Sequence, residues 1–344
     1  MWSRNNNKFS LGLDIGADSV KLAQLVRDSQ VPKLQECIIK KLPEGVIQEG
    51  VIKKEEELQE VLELLVTEYD LQGQEVVVAM SGSKLFVKKL NLPQMELEEL
   101  AEIVIWEAED YLPFSRQEVV LDYHIIEQKK TEIELLLVAV KKEIVLDYVS
   151  LIERVGLQVK AVDIEMLALQ RSLLSQENIK DDLILLDLGK DETEFVAFKQ
   201  GKFVFRRVLS VGGRDFSEEV KVKSEQSINL REARRYKKNQ NLFKSGMITN
   251  TSITLLKEVK RAIDYFQLKF KNDAPQRITL TGGGAKLKGL KEFLQQKLQL
   301  RVGVGKQLAI IDFDSEKFTS HYLRDKFALM AVSLGLALRG LEDD

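Results

Sequence analysis

Three short segments carry residue types suited to holding a polyphosphate. The first is Asp14-Ile15-Gly16-Ala17-Asp18-Ser19-Val20-Lys21, an apolar strand running into Asp-x-Gly and then a second strand. Gly16 lets backbone N–H groups approach an anion closely, as successive N–H groups in such a turn form an anion nest. Ser19 adds a hydroxyl donor and Lys21 a positive charge. Asp14 would repel phosphate directly and is better suited to hold a hydrated Mg2+. The second segment, Asp187-Leu188-Gly189-Lys190-Asp191-Glu192-Thr193, repeats the pattern. The third, Thr281-Gly282-Gly283-Gly284-Ala285, sets three glycines between a strand and a helix, where a nucleoside and a phosphate can approach flat. A plain hairpin turn also accounts for a lone Asp-x-Gly; two copies favour a clamp on one polyphosphate. No G-x-G-x-x-G opens a βαβ unit and no G-x-x-x-x-G-K-[ST] is present, so the pattern is neither Rossmann nor P-loop.

Composition removes several other chemistries. Cys37 is the one cysteine and His124 and His321 the two histidines, so neither an intrachain disulfide nor a Cys/His zinc site can be assembled. No G-x-S-x-G supports a serine hydrolase. The 51 Lys+Arg against 54 Asp+Glu give a net charge of -3, which argues against a nucleic-acid binder. Residues 1–10 are polar and lack the apolar core of a signal peptide. The longest weakly charged apolar stretch, residues 327–338, falls well short of the ~20 residues that span a bilayer and reads as a buried helix. The chain is therefore expected in the cytoplasm, at most peripheral at the inner face of the membrane.

The elements that must position these residues also repeat. After each Asp-x-Gly come a strand, a polar turn and a third strand: residues 19–26 and 33–42 in the first copy, 194–199 and 203–211 in the second. Each copy later holds an apolar strand ending in small residues, 76–82 and 278–284. Leu58, Val61, Leu62, Leu65 and Tyr69 have the spacing of one buried helical face, as do Leu256, Val259, Ile263 and Phe266, and Leu287, Leu290, Leu294 and Leu298. Two related α/β halves are thus expected within 344 residues. A βαββαβ module, read as a small split βαβ sheet, interrupts the first half, and a basic, mostly helical insert interrupts the second. Their charges differ: residues 93–122 hold nine acids and one base, residues 214–275 fourteen bases and eight acids.

With these residues in hand, the chain resembles the actin-like ATPase superfamily. The resemblance implies a duplicated actin-like (ribonuclease H-like) α/β fold with ATP and Mg2+ between two lobes. Asp14, Gly16, Ser19 and Lys21 match its first phosphate motif, Asp187, Gly189 and Thr193 its second, and Gly282, Gly283 and Gly284 its adenosine motif. Asp14 and Asp187 would hold the metal through water, and Glu165, within the first connecting segment at residues 161–169, would align water for slow hydrolysis. Glu258 and Arg261 would lie where helices of this insert meet ribose or base in the superfamily. Residues 331–337 look like the second connecting segment, where Gly335 would let two helices touch. One departure stands out: Lys190, Asp191 and Glu192 replace the small residues usual in the second phosphate motif, so nucleotide binding is expected to be firmer than hydrolysis is fast.

The module narrows the resemblance to the PilM family of type IV pilus assembly proteins, through Leu90-Asn91-Leu92-Pro93, the run from Glu107 to Phe114, and the run from Glu118 to Tyr123. It implies a partner, the N-terminal cytoplasmic tail of the inner-membrane protein PilN, docking beside the module, with Glu107, Tyr111, Pro113 and Phe114 as candidate contacts. Membrane association would then be indirect; a homo-oligomer is also compatible, nucleic acid is not. The implied division is residues 1–83 for the first core segment, 84–160 for the module, 161–180 for the connecting segment, 181–213 and 276–310 for the second lobe, 214–275 for its insert, and 311–344 for the returning C-terminal helix. An FtsA-like division protein and a small-molecule kinase of the superfamily are the other readings.

Overall fold

The computed structural model describes residues 8–27, 30–174, 182–225, 227–246, 248–270, 273–305 and 311–342. The polar first residues, the end of the connecting segment, the stretch just after Gly305 and the last two acids fall outside them. The chain opens with β1 (Lys8–Ile15), β2 (Ser19–Arg27) and β3 (Lys33–Lys41), an antiparallel meander. A short hairpin, β4 (Ile47–Gln48) and β5 (Val51–Ile52), leads to α1 (Glu55–Glu68) and then β6 (Glu75–Met80), which pairs parallel with β1. Next come β7 (Phe86–Pro93), α2 (Leu97–Glu109), β8 (Val119–Gln128), β9 (Glu132–Lys141), α3 (Lys142–Arg154), β10 (Gln158–Ile164) and α4 (Glu165–Leu173). The second half begins with β11 (Leu183–Leu188), β12 (Thr193–Lys199) and β13 (Lys202–Leu209). It continues through α5 (Gly213–Lys223), α6 (Leu230–Asn239), α7 (Asn250–Lys269), β14 (Arg277–Thr281), α8 (Leu290–Leu298) and β15 (Arg301–Val304). The edge strand β16 (Asp312–Phe313) and α9 (Ser320–Leu341) close the chain.

The duplication is visible in the sheets. One runs β3-β2-β1-β6-β10, with β16 beside β3; the other runs β13-β12-β11-β14-β15. The orders correspond strand for strand, including the parallel pairs β1/β6 and β11/β14. Period-two burial sorts each strand between two layers. In the first sheet Leu11, Leu13, Val20 and Leu22 pack with Leu58, Leu62 and Leu65 of α1 and with Ile144, Tyr148 and Leu151 of α3. The opposite face receives α9, with Ala23 and Leu25 joining Phe327, Met330, Leu334 and Leu338. Residues 327–338 are therefore a buried helix, as their apolar character implied. In the second sheet Leu186, Phe195 and Ala197 face Leu255, Val259 and Phe266 of α7, whereas Leu185, Val196 and Phe198 share the core of the first lobe and of α4.

The inserted module differs from the expected split βαβ sheet. Its sheet is β7-β9-β8, with a core of its own built from Leu90, Leu92, Leu100, Val104, Ala108, Ile133, Leu135 and Leu137. The last expected strand, β10, pairs parallel with β6 instead, and α3 buries its apolar face in the first lobe. The reason is packing. α3 buries Ile144, Tyr148, Leu151 and Ile152 in the core of the first lobe, and the strand that follows such a crossover helix is set parallel beside β6. β7, α2, β8 and β9 thus share one small core, while α3 packs with the first lobe. The basic insert does form helices α5, α6 and α7.

Two close approaches hold the halves together. A Cβ added at Gly335 of α9 would overlap the Ala168 carbonyl of α4, and one at Gly12 of β1 would overlap the α9 backbone at Ser333 and Ala337. Among the described residues no helix is long and apolar enough to cross a membrane. Because the atoms met at Gly335 are backbone, Gly335→Val cannot be absorbed by a rotamer change and should cost about 1–3 kcal/mol or more. A clear fall in thermal midpoint is expected; an unchanged midpoint would show that α4 and α9 can separate freely.

Candidate functional site

The two Asp-x-Gly segments form matching hairpins that face one another. In the first, the Gly16 N–H donates to the Ser19 carbonyl at 3.1 Å; in the second, the Gly189 N–H donates to the Glu192 carbonyl at 3.0 Å. Strand register sets Asp14 opposite Lys21 and, at the corresponding positions, Asp187 opposite Glu194. Glu165, first residue of α4, lies between them: its carboxyl is hydrogen-bonded to Asp187 and feels the charges of Glu194 and Asp14. Four carboxylates therefore converge, with Lys21 and Arg206 as their cations. The Lys21 Nζ is 2.7 Å from Asp14 Oδ2, and Arg206 pairs with Glu194.

This balance shifts protons. Burial drives the Glu165 carboxyl well above the usual range, and the neighbouring Asp187 and Glu194 push it the same way. Burial likewise raises Asp187, to about 6, although the hydrogen bond from Glu165 and the charge of Lys21 oppose the shift. Glu165 is the proton holder of the pair and donates to Asp187. Burial alone would discharge Lys21, but Asp14, Asp187 and Glu165 outweigh it and keep the ammonium charged. The buried Glu194 Oε2 has no hydrogen-bond partner among the described residues.

The glycine segment closes the site from the second lobe. Gly282 has φ +75°, and a Cβ there would overlap the Asp187 carboxylate, so both backbone and space require glycine. Its N–H and the Thr281 hydroxyl both donate to the Ala328 carbonyl of α9, at 2.7 and 2.8 Å. Gly284 packs on Leu188, whereas a Cβ at Gly283 would meet nothing nearer than Leu329 at 3.9 Å. Gly283 is thus the member with open space above it.

The unusual second hairpin resolves its own repulsion. Lys190 Nζ crosses to the first hairpin, donating to the Ala17 carbonyl at 3.0 Å and lying 3.4 Å from Glu44. Asp191 pairs with Arg214 at 2.7 Å, and Glu192 is hydrogen-bonded by Ser83 of the first lobe. Glu44, in the loop after β3, gathers Lys190, Arg214 at 3.1 Å and Arg234 at 2.6 Å. Partial burial would raise its pKa, but the hydrogen bond from Arg234 and these charges hold it low.

Other expected residues lie elsewhere or act differently. The buried Thr193 donates its hydroxyl to the Val211 carbonyl at 2.5 Å, so only the backbone of this position belongs to the hairpin tip. Ser19 is buried beside the tip of the first hairpin. Glu258 and Arg261 pair with each other at 2.6 Å, and Glu258 with Arg207 at 3.3 Å. Arg207 stands opposite Phe195, one residue out of phase with Glu194, hence on the α7 face of the sheet. The structure does not bring Glu258 and Arg261 to the carboxylates. On the module, Glu107 is half-buried and Pro113 exposed. Lys88 lies over the Tyr111 ring and Lys141 over that of Phe114. Trp106, on α2, is 74% exposed. Glu194, Arg206 and Glu44 escaped the sequence reading; Glu194 alone had a signal, since it is to Asp187 what Lys21 is to Asp14.

Chemically, backbone N–H groups at two hairpin tips beside an excess of carboxylates suit a polyphosphate whose charge is shared with a hydrated cation. Asp14 and Asp187 are the carboxylates at corresponding positions of the two hairpins. Among the described residues no three carboxylate or imidazole groups form a direct metal cage, and water-mediated holding needs none.

Comparison with known proteins gives the following. The sequence model of a family described as type IV pilus assembly protein PilM matches residues 12–341. Among solved structures, the chain resembles that of a PilM-PilN type IV pilus biogenesis complex, with a TM-score of 0.86, 27% identity, and coverage of 97% of this chain and 99% of that one. The ethanolamine utilization protein EutJ from Carboxydothermus hydrogenoformans gives a TM-score of 0.57 at 15% identity over 96% of this chain and 89% of its own, a likeness of fold alone. Cell division protein FtsA of Bacillus subtilis (strain 168) is 21% identical over 357 residues, 87% of this chain and 79% of that protein.

The raised carboxyl makes a pH prediction. A carboxyl whose folded pKa exceeds its unfolded value, about 4, binds extra protons in the folded state. Its destabilising effect is absent below about 4 and complete above about 6. In Asp187→Asn that effect is removed. The melting temperature of the variant minus that of the wild type, measured without nucleotide, should grow from about pH 4 to about pH 7 and then level off. A difference constant over this window would show that Asp187 does not titrate there.

Proposed function

Because the chain belongs to the type IV pilus assembly protein PilM family, we propose that it is an actin-like ATP-binding protein whose nucleotide state governs its hold on the cytoplasmic tail of a PilN partner. The observation that carries the nucleotide half is the pair of matching hairpins with Asp14 and Asp187 at corresponding positions, closed by Gly282–Gly284. The phosphates lie against the N–H groups around Gly16 and Gly189, and the nucleoside against Gly283. Asp14 and Asp187 would hold Mg2+ through water, and the ion would supply the positive charge that lets phosphates and carboxylates share the site. Glu165, hydrogen-bonded to Asp187 at the start of α4, would be the side chain to orient the attacking water. Hydrolysis in such a site rests on positioning and electrostatics, and the crowded acids keep it slow.

The partner half is supported by the likeness to a PilM-PilN complex. The module presents Tyr111, Pro113 and Phe114 just after α2, beside an acidic helix whose exposed side bears Leu97, Ile105 and Trp106. An apolar tail segment with basic character suits that surface. Attachment to the inner face of the membrane then runs through PilN.

Calorimetry separates the two halves. ATP should bind in the presence of Mg2+ and markedly less tightly with a chelator. Asp14→Asn should weaken Mg-ATP by about tenfold or more, roughly 1.4 kcal/mol, because the loss of one metal partner outweighs the release of Lys21 toward phosphate. A PilN tail peptide should bind the wild type, and a Tyr111→Ala, Phe114→Ala variant much less. Failure of ATP to bind removes the first half, and failure of the peptide the second.

A further inference from the structure

Arg206, on β13, joins the nucleotide hairpin to the root of the inserted module. Its side chain is 8% exposed. Its Nε donates to Glu194, the residue opposite Asp187. Nη2 donates to the Gly82 carbonyl at 2.7 Å and Nη1 to the Leu85 carbonyl at 3.2 Å. Gly82 to Leu85 is the stretch by which the chain leaves β6 and enters β7, first strand of the module. The same hairpin touches this stretch a second time, where Ser83 hydrogen-bonds Glu192 through both its hydroxyl and its N–H. Gly82 has φ +80°, and a Cβ there would press on Glu192 Oε2 at 3.1 Å, so the junction is fitted closely against the hairpin.

We propose that Arg206 is a positioning residue that transmits the state of the Asp187 hairpin to the inserted module. The inference rests on the nucleotide reading above and adds the route. Glu194 shares the electrostatic environment of Asp187 and Glu165, so charge arriving at the hairpins acts on it directly. A planar guanidinium with donors in a fixed fork carries a displacement of Glu194 to two carbonyls at once, which a single ammonium cannot do. Gly82 and Leu85 then re-aim β7 and, through its ladder with β9, the module sheet.

Hydrogen exchange of the full chain tests this, each form being read free and at Mg-ATP concentrations saturating by its own calorimetric affinity. In the wild type, Mg-ATP should change amide exchange in β7, β8 and β9 by at least about fivefold, the low end of coupling between linked sites. Arg206→Met should abolish that response. Because Arg206→Met leaves a buried carboxylate unpaired, the doubly substituted Arg206→Met, Glu194→Gln chain is measured beside it and should also fail to respond while keeping a cooperative melt. Arg206→Lys, which retains one donor group, should respond partially. A wild-type response persisting in the double variant overturns the proposal, as does ATP binding to the wild type with no change in the module. Failure of the wild type to bind ATP in calorimetry is a separate result: it removes the nucleotide reading and the link with it.

Discussion

The structure depends on two helices being able to cross at backbone distance. α4 leads out of the first sheet, and α9 returns from the second lobe to lie on β1. Side chains at the crossing would set helix axes some 8–10 Å apart. At Gly335 there is no side chain, and α9 meets the Ala168 carbonyl directly. Gly12 removes the corresponding obstacle between α9 and β1. Everything at the cleft follows from this close contact. The start of α4 delivers Glu165 to Asp187, and Ala328 of α9 anchors the Thr281–Gly282 turn. A core shared by Leu13, Leu167, Leu185 and Leu336 then continues from one lobe into the other.

On that frame sits an electrostatic conflict. The two hairpins are alike in backbone but opposite in charge where it matters: Lys21 neutralises Asp14, whereas Glu194 adds to the charge of Asp187. The chain relieves the excess in three ways, with a proton retained on Glu165, the charged Lys21 and the ion pair to Arg206. Such a cluster is a poor choice for stability alone, since buried like charges disfavour each other's ionised forms. It makes sense as a site prepared for a cation-bearing ligand, the kind of local violation expected where function outweighs folding economy.

The tips of the hairpins show a different solution. By type alone, Asp191 and Glu192 look hostile to phosphate, with Lys190 as a partial offset. In space each is occupied elsewhere: Lys190 with Ala17 and Glu44, Asp191 with Arg214, Glu192 with Ser83. The side chains of Lys190 and Glu192 tie one lobe to the other. The basic insert takes part, since Arg214 and Arg234 converge on Glu44 of the first lobe. Its positive charge is therefore partly turned toward the cleft, while the acidic α2 of the module keeps Trp106 exposed.

Much of this was legible in the order of residues alone. Duplicated Asp-x-Gly hairpins, a triple glycine after a strand, and an apolar C-terminal helix with a glycine at its crossing are local signals. Local backbone chemistry dictates them: a turn that needs glycine needs it wherever it sits. The sequence likewise determined that an insert interrupts each half. Pairing across distance was another matter. Whether β10 joined the module or the first sheet depended on where α3 could bury its apolar face, and that face packs in the core of the first lobe. Thr193 has the right type for a phosphate ligand, but its hydroxyl is spent on Val211. Glu258 and Arg261 sit on α7, and the pairing of Glu258 with Arg207 depends on which face of β13 carries Arg207. Glu194 and Arg206 gain their meaning only when the lobes close, because their partners Asp187, Gly82 and Leu85 come from other strands and another lobe. The sequence by itself determined the elements and the residues at their ends; only the tertiary structure decided which of those ends would share charge, because that depends on distances the chain sets by folding back on itself.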